Sequence, residues 1–219
     1  IRRCRRENPD AVIGVCGCYP QHAAPALESL GVDVIGGSNG REAFLSDLLA
    51  TLQDRQSRKN VDNALRRRSF EVLPAGGLEG RTRGMLKVQD GCVNFCSYCI
   101  IPYLRGKFRS RQMDDVLYEA RLLAASGVKE LIVVAQDTSR YGTDLPGHKR
   151  LLPELLRELC KIDGFQWIRV HYVYPDEIDD ELIDVIAAEP KVVKYLDIPI
   201  QHCNSKVLKR MNRRGDHDF

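Results

Sequence analysis

The apolar positions of this chain fall into short continuous runs separated by longer amphipathic stretches. Residues 11–15 form an apolar run that predicts a buried strand. Pro20 and Pro25 then bracket a turn and a helix ending near Gly31. Residues 32–35 predict a second strand, stopped by Gly36 and Gly37. Asn39 is placed to cap a third element, a helix with Phe44, Leu45, Leu48, Leu49 and Leu52 on one face. Strand and helix alternate, which predicts a small α/β domain with a parallel sheet over residues 1–52. Residues 53–83 break the pattern. Polar residues dominate, no apolar period recurs, and the stretch reads as a linker that can hold one strand at 70–73.

From Gly84 the rhythm returns. Strands are predicted at 85–88, 130–135, 167–173 and 193–200, and helices at 113–125, 151–160 and 178–188, with a further helix opening at Asn204. The run at 130–135 is nearly all apolar, as expected for a parallel strand covered on both faces. Four βα units in order predict an open or barrel-like sheet across 84–219, with right-handed crossovers. The overall expectation is therefore an α/β protein: a partial N-terminal domain, a linker, and a partial (β/α) barrel. Chemistry in such folds sits at the C-terminal strand ends. Cys92, Gln136 with Asp137, Tyr174 with Pro175, and Gln201 with His202 all follow predicted strand ends, so four loops can converge.

Composition changes this picture little. Hydrophobic residues make up 43% of the 219 and charged residues 29%, an ordinary globular mixture. No apolar run approaches the roughly 18–20 residues that span a bilayer, so no membrane partner is expected. The chain begins at Ile1 rather than Met and reads as a fragment. The net charge is only +3, but cations cluster at Arg66, Arg67 and Arg68, at Arg81, Arg83 and Lys87, and at Arg105, Lys107, Arg109 and Arg111. Such runs are most often a solvated face, and the alternative is a track for phosphates.

The cysteines change it more. Of eight, three crowd into Cys92-x3-Cys96-x2-Cys99, on a loop after a strand. A disulfide framework belongs to small secreted chains, whereas tight clusters in a longer chain point to a metal site in a reducing, cytoplasmic compartment. Three thiolates can hold three irons of a cubane and leave a fourth iron open. A structural zinc site would need a fourth ligand, for which only the distant Cys160 or Cys203 offer themselves. Cys16, Cys160 and Cys203 read as packing residues.

This cysteine spacing, with Tyr98 just before the last cysteine, is similar to that of the radical S-adenosylmethionine (SAM) superfamily. The resemblance implies that Cys92, Cys96 and Cys99 hold a [4Fe–4S] cluster and that SAM binds its open iron. One electron, from an electron donor, then cleaves SAM to a radical that abstracts hydrogen from an unactivated C–H bond. The backbone near Tyr98 is implied to lie against the adenine. Gln136 and Asp137 fall where related folds contact the SAM amino group, Gln201 lines the pocket, and Arg169 can pair with a carboxylate. His171 and His202 are possible proton shuttles, although a lone His is more often hydrogen-bonded packing.

Flanking residues narrow the resemblance. LKVQDGC (86–92), CIIPYLRG (99–106) and RSR (109–111) resemble the methylthiotransferases, which insert sulfur at a C–H bond and methylate it. That family implies a second [4Fe–4S] cluster in the N-terminal domain. GCYPQ (17–21) matches the motif of its third ligand, which makes Cys18 that ligand and places the other two upstream of Ile1. Residues 11–103, with VCGCYPQ, FEVLPAGGL and NFCSYCIIPY, resemble the enzymes acting on tRNA threonylcarbamoyladenosine. Residues 104–202, with AQDTSRYG, YVYPDEI and YLDIPIQH, resemble the enzyme acting on an aspartate of a small-subunit ribosomal protein. The implied substrate is thus either tRNA, with Arg105, Arg109 and Arg111 available to its phosphates, or a ribosomal protein. Two alternatives stand beside this: a radical SAM enzyme without sulfur insertion, and a cluster-binding fragment without activity.

Overall fold

The computed structural model describes residues 1–73 and 80–214. Part of the expected linker, 74–79, and the end of the expected core, 215–219, lie outside the described residues. The chain divides into two compact units, Ile1–Arg67 with Ile100–Gly106, and Arg68–Cys99 with Lys107–Phe219.

The first unit runs α1 (Arg2–Glu7), β1 (Gly14–Cys16), α2 (Cys18–Glu28), β2 (Val34–Gly36), α3 (Arg41–Asp54) and β3 (Arg58–Asn60), and includes α4 (Ile101–Arg105). Its sheet is parallel in the order β1-β2-β3. The central β2 is buried throughout, with Val34 and Ile35 at 0% and 2% exposure. Close approach of α3 depends on two glycines. A Cβ on Gly14 would meet Phe44 at 2.9 Å, and one on Gly36 would meet it at 2.7 Å. Phe44 and Leu48 thus pack inward, but Leu45, Leu49 and Leu52 are half or more exposed, against the expectation of a single buried face. The five residues form two adjacent stripes, and a three-stranded sheet is wide enough to cover only one.

Part of the expected linker is structured. β3 pairs with β2, and a 3-10 turn follows at Ala64–Arg66. Arg67 explains why. Its side chain is buried and donates to Asp62 (2.5 and 2.7 Å), Ser38 Oγ (2.8 Å) and Gln21 Oε1 (2.8 Å). One arginine therefore folds the segment back onto the unit, and it is no part of a solvated basic face. No strand forms at 70–73.

The second unit carries β4 (Arg83–Lys87), β5 (Gln89–Asp90), β6 (Arg109–Ser110), α5 (Met113–Ala125), β7 (Glu130–Val134), α6 (Leu152–Cys160), β8 (Trp167–Val170), α7 (Asp180–Ala188) and α8 (Ser205–Arg210). The main sheet is parallel in the order β4-β7-β8, with Leu86 opposite Val133 and Ile132 opposite Arg169. Leu86, Leu131, Val133, Ile168 and Val170 pack beneath α5, α6 and α7 in one continuous core. Tyr141 is fully buried there and donates its hydroxyl to Arg111 O at 3.0 Å. On β4 the opposite face carries Met85, 66% exposed, so β4 alternates where β7 is nearly all buried.

The fourth expected strand does not form as a regular element. Residues 193–200 run alongside β8 and the chain after it through the bridge of Ile168 to Val192 and the bonds from Val193 N to Ile168 O and from Val173 N to Asp197 O. Pro199 has no N–H to give a ladder, and the Asp197 carboxylate takes the Tyr172 N–H at 3.3 Å. Three parallel strands with helices on one face therefore replace the four units expected, and no closed barrel is formed among the described residues.

Glu130 opens β7 and is 4% exposed. Burial opposes its ionisation, but hydrogen bonds from Arg169 (2.7 Å) and Arg83 (2.5 Å) outweigh it and hold the carboxyl below its ordinary 4.5. A depressed folded value stabilises the fold above the ordinary value and loses that stabilisation as pH falls through the folded one. Glu130→Gln is therefore less stable than wild type at neutral pH in denaturant unfolding, and the gap closes as pH drops below 4.5. Leu156→Ala, at 0% exposure, costs about 2–5 kcal/mol. Leu49→Ala on the exposed stripe of α3 stays within about 0.5 kcal/mol in the same measurement.

Candidate functional site

The cysteine loop follows β5 and has no regular secondary structure of its own, so neighbouring strand ends must hold it. Gly91 starts it with φ at 91°, a conformation that glycine adopts without strain. Its N–H donates to Gln136 Oε1 at 2.7 Å, which ties the loop to the end of β7. Asn94 Nδ2 donates to Asp137 Oδ2 at 3.2 Å, a second tie to the same strand end. Cys96 Sγ lies 3.9 Å from the Tyr174 hydroxyl, which comes from the segment after β8. Cys99 N donates to Cys96 O at 2.9 Å.

A third support comes from the far end of α8. Asn212 is left-handed (φ 53°), and the chain bonds Asn212 N to Lys209 O and Arg213 N to Leu208 O. This is a Schellman cap with Asn in the position glycine usually takes. The cap turns the chain onto the loop. Asn212 Nδ2 donates to Asn94 O (3.2 Å) and Phe95 O (2.9 Å), and Met211 O accepts from Ser97 N (2.9 Å). Nothing in the spacing of the cysteines pointed to residues 211–213; an asparagine just after an amphipathic helix was the available signal.

Cys92 and Cys96 are buried and Cys99 half-buried. Burial pushes the Cys92 thiol up; the N–H of Asn94 opposes this, and Asp137, Cys96 and Cys99 reinforce it. A buried, electron-rich set of thiols is costly to ionise alone and is suited to cationic iron. Among the described residues no three His, Cys, Asp or Glu side chains are grouped to hold a single metal ion, so the zinc arrangement with Cys160 or Cys203 is not formed. A cubane asks for something else, because each thiolate takes its own iron. The loop's donor set fits a [4Fe–4S] cluster.

Asp137 is 1% exposed. Burial pushes its carboxyl up, against hydrogen bonds from Ser139 (2.5 Å) and Asn94 and the charge of Arg140. Arg140 also pairs with the buried Glu177, which takes Arg150 as well, so the turns after β7 and β8 are joined by charge. Tyr98 is 52% exposed, and Gln201 is exposed and left-handed at 67°.

Several residues named from the sequence have partners within the protein. Arg169 is bound to the Glu130 carboxylate and lies 5.2 Å from the Tyr195 ring. The buried Glu130 claims it as a counterion. Arg109 and Arg111 are 3% and 4% exposed. Arg109 bonds Asp90, Ser69 O and Lys107 O; Arg111 bonds Glu119 and Lys87 O, with Phe70 beneath it at 5.4 Å. Neither is available to a phosphate. Cys18 opens α2 in the first unit and is half-buried. Gln21 of the same motif is engaged by Ser38 and Arg67. Cys16 and Cys203 are exposed rather than packed, and His202 Nδ1 accepts from Asn204 N at 2.9 Å.

Residues 86–219 match the model of the radical SAM superfamily. Along nearly the whole chain, relatives named ribosomal protein uS12 methylthiotransferase RimO are similar. That of Lachnoclostridium phytofermentans is 44% identical over 208 residues, covering 93% of this chain and 46% of the relative. That of Clostridium tetani is 42% identical over 216 residues, covering 96% and 47%. That of Caldanaerobacter subterraneus reaches 58%, but over 128 residues, covering 58% and 29%, so similarity is uneven along the chain. The chain spans about half the length of the curated relatives it matches over most of its own length. Among solved structures, the radical SAM methyltransferase TsrM from Kitasatospora setae, with tryptophan and a SAM analogue bound, superimposes with a TM-score of 0.68. It is 18% identical and covers 99% of this chain and 48% of that one, a likeness of fold.

The brace between Gln136 and Gly91 has a measurable consequence. Gln136→Leu strands the buried Gly91 N–H and lowers stability by about 1–3 kcal/mol. Gln136→Glu keeps the acceptor and loses less; denaturant unfolding of the two variants measures the difference.

Proposed function

We propose, for a chain that belongs to the radical SAM superfamily and within it to the methylthiotransferases, that it is part of an enzyme that modifies ribosomal protein uS12. The reading is carried by one observation: a Cys-x3-Cys-x2-Cys loop with two buried thiols, braced from the C-terminal ends of a parallel sheet. Cys92, Cys96 and Cys99 would hold the [4Fe–4S] cluster. When bound, the cluster and SAM supply a radical able to take hydrogen from an unactivated C–H bond.

The chain's own residues do the rest. Gln136 and Asp137 fix the loop, while Tyr98 and Gln201, both exposed, are the positions offered to SAM. Burying two of the three thiols keeps water from that side of the site. Cys18, at the start of α2, is the proposed ligand from this chain to a second cluster. An electron donor is required as a partner.

Two observations favour the ribosomal protein over tRNA. The relatives that match over most of the chain carry the uS12 name. Of the three arginines that would track phosphate, Arg105, Arg109 and Arg111, the last two are buried in internal ion pairs. The test is deletion of the gene, followed by mass spectrometry of uS12 and of tRNA nucleosides. Loss of a methylthio group from uS12 alone is expected. Its loss from tRNA alone rejects the substrate, and its loss from neither rejects the activity.

A further inference from the structure

Arg213 is a buried cation that the α8 cap delivers to the cysteine loop, and the brace between Asn212 and the loop does not require it. Its side chain is buried, with the residue 8% exposed. Nη2 donates to Pro199 O. The guanidinium stacks on the Tyr174 ring at 4.3 Å, and the Tyr174 hydroxyl lies 3.9 Å from Cys96 Sγ. Cys96, Tyr174 and Arg213 line one narrow pocket with Asn94, Asp176, Asn212 and Arg214. Within it Arg213 Nη1 is buried and has no hydrogen-bond partner.

A buried guanidinium N–H without an acceptor is costly, and it is retained where something else supplies the acceptor. The neighbouring carboxylate, Glu177, is already held by Arg140, Arg150 and Arg214. Asp176 also lines the pocket but gives Nη1 no hydrogen bond, and the Cys96 sulfur of the loop lines the same pocket. We propose that Arg213 is a positioning residue for the group held by the cysteine loop, placing a fixed positive charge and an N–H donor against the sulfur at Cys96 and so raising its reduction potential. Positive charge and hydrogen bonds to sulfur stabilise the reduced, more negative form of an iron–sulfur cluster. The couple is a one-electron reduction by an external reductant, with no bond made or broken. This inference rests on reading the loop as a cluster site.

The test is a reductive titration of the anaerobically reconstituted chain, following the iron–sulfur signal that Cys96→Ala abolishes. Iron content and circular dichroism are measured alongside. Arg213→Met is expected to keep its iron and shift to a more negative midpoint, while Arg213→Lys, which keeps the charge, stays close to wild type. An unchanged midpoint in Arg213→Met overturns the proposal. If Arg213→Met remains folded but loses its iron, Arg213→Lys decides. Iron and midpoint retained in the lysine variant support the role of charge, and iron lost there too overturns it in favour of packing against Tyr174. A wild-type chain that takes up no iron overturns the cluster reading itself.

Discussion

A loop that must present three thiols cannot hold itself in place, and the second unit is organised around that constraint. Residues 92–99 contain no helix or strand, so their backbone polar groups and side chains find partners outside. Gln136 takes the first N–H of the loop, Asp137 takes Asn94, and Asn212 closes over the carbonyls of Asn94 and Phe95. These partners stand at the ends of β7 and α8, and β7 is set by a core of fully buried leucines and valines. Packing fixes the strand ends, and the strand ends fix the loop.

The same logic explains the charges. Three of the arginines in the cationic runs, Arg67, Arg109 and Arg111, are buried rather than offered as surface. Arg67 pairs with Asp62 in the segment after β3, Arg111 ties the end of β6 to α5, and Arg140 joins the turn after β7 to Glu177. Each is an ion pair with at least one buried partner. Such a pair constrains geometry more reliably than it adds stability, because desolvation offsets much of the attraction.

How much of this was legible in the sequence depends on the range of the interaction. Helix α5 begins at Met113 and ends at Ala125 as its periodicity indicates, and β7 reads directly from a run of apolar residues. The cysteine ligand spacing is local and was visible at once. The exposed leucines of α3 were not, because periodicity reports an apolar stripe without reporting how wide a surface exists to cover it. The irregular 193–200 was not, because an apolar run does not show that Pro199 and Asp197 spoil the ladder. Arg169 was expected to pair with a carboxylate, but nothing local showed that Glu130, 39 positions away, would supply one. Contacts across a unit, such as Asn212 to Asn94 at a separation of 118 residues, leave no local trace.

The central claim is that Cys92, Cys96 and Cys99 hold a cluster with one iron left open to SAM. Mössbauer and EPR spectroscopy of the reconstituted chain, with and without SAM, test it most directly. The account predicts a [4Fe–4S] signal in which SAM alters one iron site and leaves three unchanged, and which is absent when Cys92 is replaced by alanine. A cluster indifferent to SAM, or a signal that survives Cys92→Ala, would contradict it.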